Sequence, residues 1–112
     1  MTSRNTERIR ELNDAFRASG TSALGQWVMT PGVSGQGTEF MLLAIANVMS
    51  FDTFTRDNDP HGEHDFGSFK MGDQSLFWKI DYYDPSLTFG SDDPSDIAKT
   101  RRVLTIMLAS EY

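Results

Sequence analysis

The first twenty residues alternate polar and apolar positions with the period of an α-helix. Ile9, Leu12 and Phe16 recur at helical spacing, while arginines and acids fill the other positions. This stripe is typical of a helix that packs one side against a core. It predicts a helix over residues 6–19 that ends at Gly20, since glycine commonly terminates helices.

Two further elements follow in the first half of the chain. The run from Gln26 to Thr30 predicts a short strand that Pro31 ends, and the following VSGQG reads as a flexible connection. Residues 38–51 predict a second helix whose apolar side chains are distributed almost all round it. We expect such a helix to be buried on more than one side.

The segment EHDFGSFKMGDQSLFWKIDYYD has the alternation of a β-hairpin. Gly72 and Asp73 supply its turn, and a two- or four-residue loop centred on them pairs positions whose numbers sum to 145. In that register Leu76, Trp78 and Ile80 form the apolar face. A three-residue loop would shift the register and change every pairing.

The last segment predicts a third helix. Asp93 before Pro94 is a suitable N-cap and N1 pair, and Asp96 could help to cap the first turn. The expected core stripe of this helix is Ile97, Val103, Leu104, Met107 and Leu108.

These elements indicate an α+β fold in the order α-β-α-β-β-α. We expect a mostly antiparallel three-stranded sheet covered by helices. The length of 112 residues suits a single domain over 1–112, with residues 1–5 as a disordered tail.

The composition excludes cysteine chemistry and bears on the expected location of the protein. The absence of cysteine excludes disulfides, thiolate metal sites and cysteine nucleophiles. The N-terminus is polar and lacks the apolar region of a secretory signal, and the longest apolar run, FMLLAIA, is too short for a membrane helix. We expect a soluble, cytoplasmic protein with no membrane partner.

The net charge of −6 is unevenly distributed along the chain. Residues 51–96 hold eleven acids and three bases, a local balance of −8. This segment repels phosphate, so direct nucleic-acid binding is disfavoured. It could hold cations or face a basic protein surface, or the acids could simply keep a small domain soluble.

The stretch DNDPHGEHDFG, residues 57–67, concentrates carboxylates and both histidines. An EF-hand loop fails here because His61 occupies its fifth position and Ser68 its twelfth, where a bidentate glutamate is needed. A zincin helix also fails, since its histidines are four residues apart whereas His61 and His64 are three apart.

The hairpin register suggests a different site, because it places His64 opposite Asp81. Directly opposed residues have Cβ atoms about 5 Å apart, so imidazole and carboxylate could hydrogen-bond as in a general-base pair. Lys79 and Tyr83 would complete the polar cluster. The catalytic candidates are His64, Asp81 and Glu63, and the candidate ligands of a divalent metal are His61, His64 and Asp81. The alternative is a set of hydrogen-bonded side chains on the wetter face of a sheet.

Other side chains are candidates for partner binding. The candidate binding residues are Asp57, Asp59, Asp65, Tyr83, Asp84, Asp92 and Asp93. Tyr83 and Tyr112 could anchor a partner because they are amphipathic. Arg101 and Arg102 are expected to neutralise the acidic loop.

Four motifs in order, FDTFTRDNDPHGEHDFGSF, FWKIDYYD, GSDDPSD and TRRVLTIMLASEY, resemble the bacterial domain-of-unknown-function family number 3768. The resemblance runs from about Leu12 to the C-terminus, and TSALGQWVMTPGVSGQG departs most from it. It supplies no catalytic residue. It implies a small acidic cytoplasmic accessory protein of a mobile genetic element in alphaproteobacteria.

Three hypotheses for function follow. The first is an antirestriction or anti-CRISPR-like inhibitor that binds a basic surface on a nucleic-acid-binding host complex. The second is a small metal-dependent hydrolase or nuclease that uses the cluster from His61 to Asp81, and the third is a homodimeric structural or regulatory module. The first ranks highest because of the acidic segment and the resemblance, and no cofactor is expected unless a divalent metal binds.

Overall fold

The computed structural model describes residues 4–19 and 23–112 of the chain. Within them the chain forms three α-helices and four β-strands, and two 3₁₀ turns follow β3 and β4. The elements are α1 (Arg4–Ser19), β1 (Gly25–Met29), α2 (Pro31–Ser34), α3 (Thr38–Met49), β2 (Phe66–Met71), β3 (Gln74–Tyr83), a 3₁₀ turn (Ile97–Lys99), β4 (Arg101–Leu108) and a second 3₁₀ turn (Ala109–Glu111).

The four strands form one mixed sheet in the order β1-β4-β3-β2. β2 pairs with β3 and β3 with β4 in antiparallel fashion, whereas β1 and β4 are parallel. The α+β class is therefore correct. Two of the three strand pairings are antiparallel, as expected, but the sheet has four strands and not three. The expected order α-β-α-β-β-α is wrong because the last long element is a strand.

α1 agrees closely with the helix expected from its apolar stripe. Ile9, Leu12 and Phe16 are all buried. The helix begins at Arg4, so it includes two residues of the stretch that was expected to be disordered. Residues 1–3 and the helix stop expected at Gly20 lie outside the described residues.

The β2–β3 hairpin has the expected register. Gly67 pairs with Trp78 and Phe69 with Leu76, and Gly72 in the turn has a positive φ of 64°. Leu76, Trp78 and Ile80 are buried, so the expected apolar face is confirmed. The hairpin could be predicted because its turn and its alternation are local properties of the sequence.

The third helix expected from residues 93–108 is wrong. Arg101–Leu108 forms β4, and only Ile97–Lys99 is helical, as a 3₁₀ turn that the Asp96 carboxylate caps through the Ala98 amide at 2.9 Å. β4 is an inner strand between β1 and β3. Val103 and Met107 on its outward side are apolar as well as the residues on its inward side, so apolar and polar residues do not alternate clearly in its sequence. The β-branched residues in VLTIM favour a strand.

The central helices also differ from expectation. Residues 31–34, expected partly as a flexible connection, form α2 and bury Val33. α3 buries Ala44 and Val48, but Leu42 is 61% exposed and Leu43 51% exposed. The expectation that α3 is buried on more than one side is therefore wrong for the single chain.

The described part of the molecule has two layers, with all three helices on one face of the sheet. The core between the layers contains Phe16 of α1, Val33 of α2 and Val48 of α3 against the inward side chains of the strands. The outward side chains form what we call the open face. Its residues are Gln26, Val28, Phe66, Ser68, Lys70, Ser75, Phe77, Lys79, Asp81, Tyr83, Arg101, Val103, Thr105 and Met107. Tyr112 packs on Phe66 and Phe77 of this face, and Met107 is buried.

Two long loops leave the sheet at the same end, where β3 ends and β2 and β4 begin. Residues 50–65 and 84–100 form these loops, and they carry nine of the eleven acids of the segment 51–96. We call this region the acidic end. Of the other two acids, Asp73 lies in the hairpin turn at the opposite end and Asp81 lies on the open face.

Gly25 tests the β1–β4 pairing. A Cβ atom at this position would overlap the carbonyl oxygen of Arg102, so Gly25→Ala must push β1 away from β4. We expect the free energy of unfolding to fall by at least about 2 kcal/mol in urea titrations. Gly90→Ala is the control, because its nearest heavy atom would lie 3.8 Å away. Similar stability of the two variants would contradict the parallel pairing.

Candidate functional site

The expected contact between His64 and Asp81 does not form. Regular pairing of β2 begins at Phe66, the Asp65 carbonyl still accepts the Ile80 amide at 2.8 Å, and His64 has a positive φ of 55° that turns the chain away. Asp81 instead pairs with Lys79 at 2.9 Å on the open face. The general-base pair inferred from the register is wrong, because the register does not extend past the end of the strand.

His64 instead joins α1 to its own loop. Its Nδ1 lies 2.8 Å from the Asp14 carboxylate of α1, and its backbone amide donates to Asp59 at 3.1 Å. Its Nε2 lies 3.6 Å from the second oxygen of Asp59. The imidazole stacks on Phe54, with ring centres 3.7 Å apart. Both the nitrogens and the ring face of His64 are therefore used in holding this loop.

Two arginines of α1 hold the same loop from the helix side. Arg17 pairs with Asp14 at 3.0 Å, donates to the Phe51 carbonyl at 3.1 Å and lies over the rings of Phe54 and Trp78. Arg10 donates to the Gly62 carbonyl at 2.9 Å. The stretch DNDPHGEHDFG is thus an acidic loop that α1 fastens beside the start of β2.

The candidate metal ligands do not converge. His61 is exposed, His64 faces α1 and Asp81 lies on the open face. Residues 4–19 and 23–112 contain no group of three or more histidine or acidic side chains placed to hold a metal ion. Glu63, the remaining catalytic candidate, accepts a hydrogen bond from the Tyr82 hydroxyl at 2.8 Å. The divalent-metal site expected from His61, His64 and Asp81 is not assembled.

A buried polar network at the base of the acidic end was not foreseen. The fully buried Arg102 donates from Nε to the Asn13 side chain at 2.6 Å and from Nη2 to the Pro94 carbonyl at 2.7 Å. Asn13 in turn donates to the Tyr82 hydroxyl at 2.8 Å and to the Glu63 carbonyl at 3.0 Å. Arg102 was expected to neutralise the acidic loop, but its hydrogen bonds go to neutral oxygens, and its contribution to neutralisation is a longer-range attraction to Glu63.

Burial sets the titration of this network. It lowers the pKa of the Arg102 guanidinium and raises the pKa of the Tyr82 phenol. Arginine nevertheless remains charged in proteins, so Arg102 is a buried cation. Its guanidinium lies over the Tyr82 ring, 5.3 Å from the ring centre, where a cation–π interaction stabilises it. One signal was available in the sequence, since Asn13 follows Ile9 by four residues on the apolar side of α1.

Several candidate binding acids are used to shape the loops. Asp84 accepts hydrogen bonds from the Ser86 hydroxyl at 2.7 Å and the Thr88 amide at 3.1 Å, which lower the pKa of its carboxyl. The Ser95 hydroxyl and amide lower the pKa of Asp93 in the same way. Asp59 is buried beneath His64. Asp84 and Asp93 therefore stay ionised while they order their turns.

The remaining candidates differ in their exposure. Asp57 and Asp92 are exposed, whereas Tyr83 is half-buried at the edge of the open face. Asp65 is also half-buried; burial raises the pKa of its carboxyl, and the neighbouring Glu63 raises it further. Among these acids, Asp57 and Asp92 are the most accessible to a partner.

The structure brings Asp84 and Asp92 together around a cavity at the acidic end. The cavity has a volume of about 450 Å³. Its lining consists of Asp84, Pro85, Phe89, Gly90, Asp92, Ala98 and Lys99. Phe89 is 72% exposed and Ile97, in the same loop, is 55% exposed. Asp84 and Asp92 thus share a cavity with the exposed Phe89, and Lys99 adds one positive charge to its lining. The expectation that Ile97 belongs to the core stripe of a third helix is wrong, because it lies exposed in the loop.

Leu87 marks the tip of this loop. It has a positive φ of 60°, which is unfavourable for a bulky side chain, and its own side chain is 45% exposed. Its amide donates to the Asp84 carbonyl at 2.9 Å. The loop therefore holds a strained backbone while it presents an apolar residue to solvent, which is more usual at functional sites than elsewhere.

These features define a small α+β domain that presents an acidic, partly apolar surface and assembles no metal centre in its described part. Its sequence matches the family model described as "Protein of unknown function (DUF3768)" over residues 29–111, so the chain belongs to that family. No curated protein and no solved structure matches the chain. In the described part of the chain, no helix has the length and apolarity needed to cross a bilayer.

The buried network predicts that the side chain of Asn13 is needed for the stability of the fold. Replacing Asn13 with alanine leaves Arg102 Nε without its acceptor in a dry site, so we expect unfolding in urea to become easier by about 3 kcal/mol or more. Glu11→Ala, at an exposed position of the same helix, should change stability by less than about 0.5 kcal/mol. A small loss for Asn13→Ala would mean that the network does not connect α1 to the sheet.

Asp65 predicts a pH-dependent effect on stability. Because the pKa of Asp65 is raised in the folded protein, the unfolded chain ionises first, and folding loses stability as the pH rises above about 3.8. Asp65→Asn removes this loss. The variant should be more stable than the wild type at pH 7, and thermal unfolding should show the two converging below pH 4. A gain that is equal at all pH values would contradict the assignment.

Proposed function

We propose that this domain binds a basic segment of another protein at its acidic end. The observation that carries this proposal is the cavity that Asp84 and Asp92 line together with the exposed side chain of Phe89. Ile97 is a second exposed apolar residue of the same loop. A surface that combines negative charge with apolar area suits a segment in which arginine or lysine alternates with aliphatic residues.

Charge supplies the first part of this recognition. Nine acids in two neighbouring loops give a negative potential that attracts a basic segment from a distance and weakens with salt. Asp84 and Asp93 are charged at neutral pH, as aspartates ordinarily are, and the hydrogen bonds from Ser86 and Ser95 lower their pKa values further. Hydrogen bonds to their own loops pre-organise them, so little ordering is required on binding.

Apolar contact supplies the second part. The Phe89 ring is large enough to receive a guanidinium on its face or the methylene stem of an arginine or lysine along its edge. The Asp92 carboxylate lines the same cavity and could pair with the charged group. A partner that carried charge alone would leave Phe89 and Ile97 in water, so a mixed basic and aliphatic segment is favoured.

The finer proposal concerns the identity of the partner. Proteins that hold nucleic acid expose basic surfaces because they must contact phosphates. A domain that covers such a surface competes with the nucleic acid for it. Together with the mobile-element setting expected for this family, this supports a cytoplasmic accessory protein that inhibits a nucleic-acid-binding defence complex, in the manner of antirestriction and anti-CRISPR proteins.

A labelled peptide that alternates arginine and leucine is a direct probe. We expect fluorescence anisotropy to report binding that weakens about tenfold or more as salt rises from low to physiological strength. Phe89→Ser and Asp92→Asn should each weaken binding several-fold while the circular dichroism of the domain is unchanged. Asp73→Asn, which removes the same charge at the opposite end of the sheet, is the matched control.

A second arm tests competition with nucleic acid. The same peptide is first bound to a labelled DNA duplex, and the domain is then added. Release of the duplex by the wild type, but not by the Phe89→Ser and Asp92→Asn double variant, would support inhibition by competition. Binding that is indifferent to both substitutions, or that falls equally with Asp73→Asn, would overturn the proposed surface.

A further inference from the structure

No α-helix within residues 4–19 and 23–112 covers the open face of the sheet, on which apolar side chains lie among polar and charged ones. Tyr112 packs on Phe66 and Phe77 at one end of this face and is itself 75% exposed. β4 is the second strand of a parallel pair, and parallel strands normally have both faces covered. Val103 and Thr105 of β4 project from this face, and Val28 of the neighbouring strand is 38% exposed. The face also contains a concave region of about 490 Å³, which Val103 and Thr105 line and which Glu111 and Tyr112 bound on one side.

We propose that a second copy of this chain packs against the open face, so that two sheets face each other around a twofold axis. This surface is distinct from the acidic end, and the inference does not rest on the proposed function.

The charges of the open face are self-complementary. Lys79 and Asp81 are alternate residues of β3, both are 39% exposed, and their side chains meet at 2.9 Å. A twofold axis perpendicular to the strands, between these two positions, places Lys79 of one copy opposite Asp81 of the other. Each copy therefore contributes the counter-charge that the other needs, as an interface between identical surfaces requires.

The size of the face is sufficient for a specific dimer. Four strands spaced by about 4.8 Å and a central strand of eight residues give a face of roughly 19 by 26 Å. Two such faces bury on the order of 1,000 Å² of accessible surface or somewhat more, which is at the lower end of specific interfaces. An association in the micromolar range is therefore expected.

The same axis separates the acidic ends of the two copies. With the facing strands antiparallel, one acidic end lies at each end of the dimer, roughly 25 Å from the other, which exceeds the Debye length at physiological salt. The net charge of −6 on each copy therefore opposes association less in this arrangement than it would if the facing strands were parallel. The Phe89 surface remains outside the interface.

Charge exchange tests this dimer without any peptide. Sedimentation equilibrium at about 100 µM, above a micromolar dissociation constant, should give twice the mass of the chain for the wild type. Lys79→Glu and Asp81→Lys should each be monomeric, because each variant places like charges opposite one another. An equimolar mixture of the two variants should form a heterodimer, since the introduced glutamate of one copy then faces the introduced lysine of the other.

Asp73→Lys is the control, because it changes charge in the hairpin turn outside the open face and should leave the dimer intact. Circular dichroism establishes that each variant is folded. A monomeric wild type, single variants that dimerise as well as the wild type, or a mixture that stays monomeric would each overturn the proposal.

Discussion

The buried contact between Arg102 and Asn13 is the constraint on which this structure depends. Arg102 lies near the start of β4, one of the two inner strands, and Asn13 lies on the buried side of α1. Their 2.6 Å hydrogen bond therefore joins the two layers where the core meets the acidic loops. A buried guanidinium is costly unless its donors are satisfied. The Pro94 carbonyl accepts from Arg102 Nη2 and the Tyr82 ring lies beside the guanidinium, whereas Nη1 is buried without a hydrogen-bond partner. The network thereby fixes one orientation of α1 on the sheet.

The positions of both loops follow from that orientation. With α1 in place, Asp14 and Arg17 meet His64 and Phe54, and the first acidic loop is fastened against the helix. The second acidic loop, residues 84–100, is held by the hydrogen bond from Arg102 to the Pro94 carbonyl, and nearer its tip Phe89 is exposed. The loop of residues 50–65 is thus packed against α1, whereas the loop of residues 84–100 exposes carboxylates and apolar side chains together.

Much of the fold could be predicted where the governing interactions are local. The hairpin register follows from the Gly72 turn and from alternation, and α1 follows from a stripe repeated along one helix. β4 could not be assigned in the same way, because its apolar character reflects its place between two strands distant in sequence. The prediction that α3 is buried on more than one side was wrong for a related reason. The composition of a helix gives its apolar area but not how much of that area the rest of the chain can cover.

The sequence by itself determined that the acids accumulate between residues 51 and 96 and that β2 and β3 pair in a definite register. Only the tertiary structure decided what those groups do. His64 does not contact Asp81, because β2 begins only at Phe66 and two carboxylates, Asp14 in α1 and Asp59 in the same loop, bind the imidazole instead. Asp84 and Asp92 came to share a cavity with Phe89 because the chain between them folds back beside Tyr83. Charge is a property of composition, whereas the partner of each charge depends on which distant segments the core brings within a few ångströms.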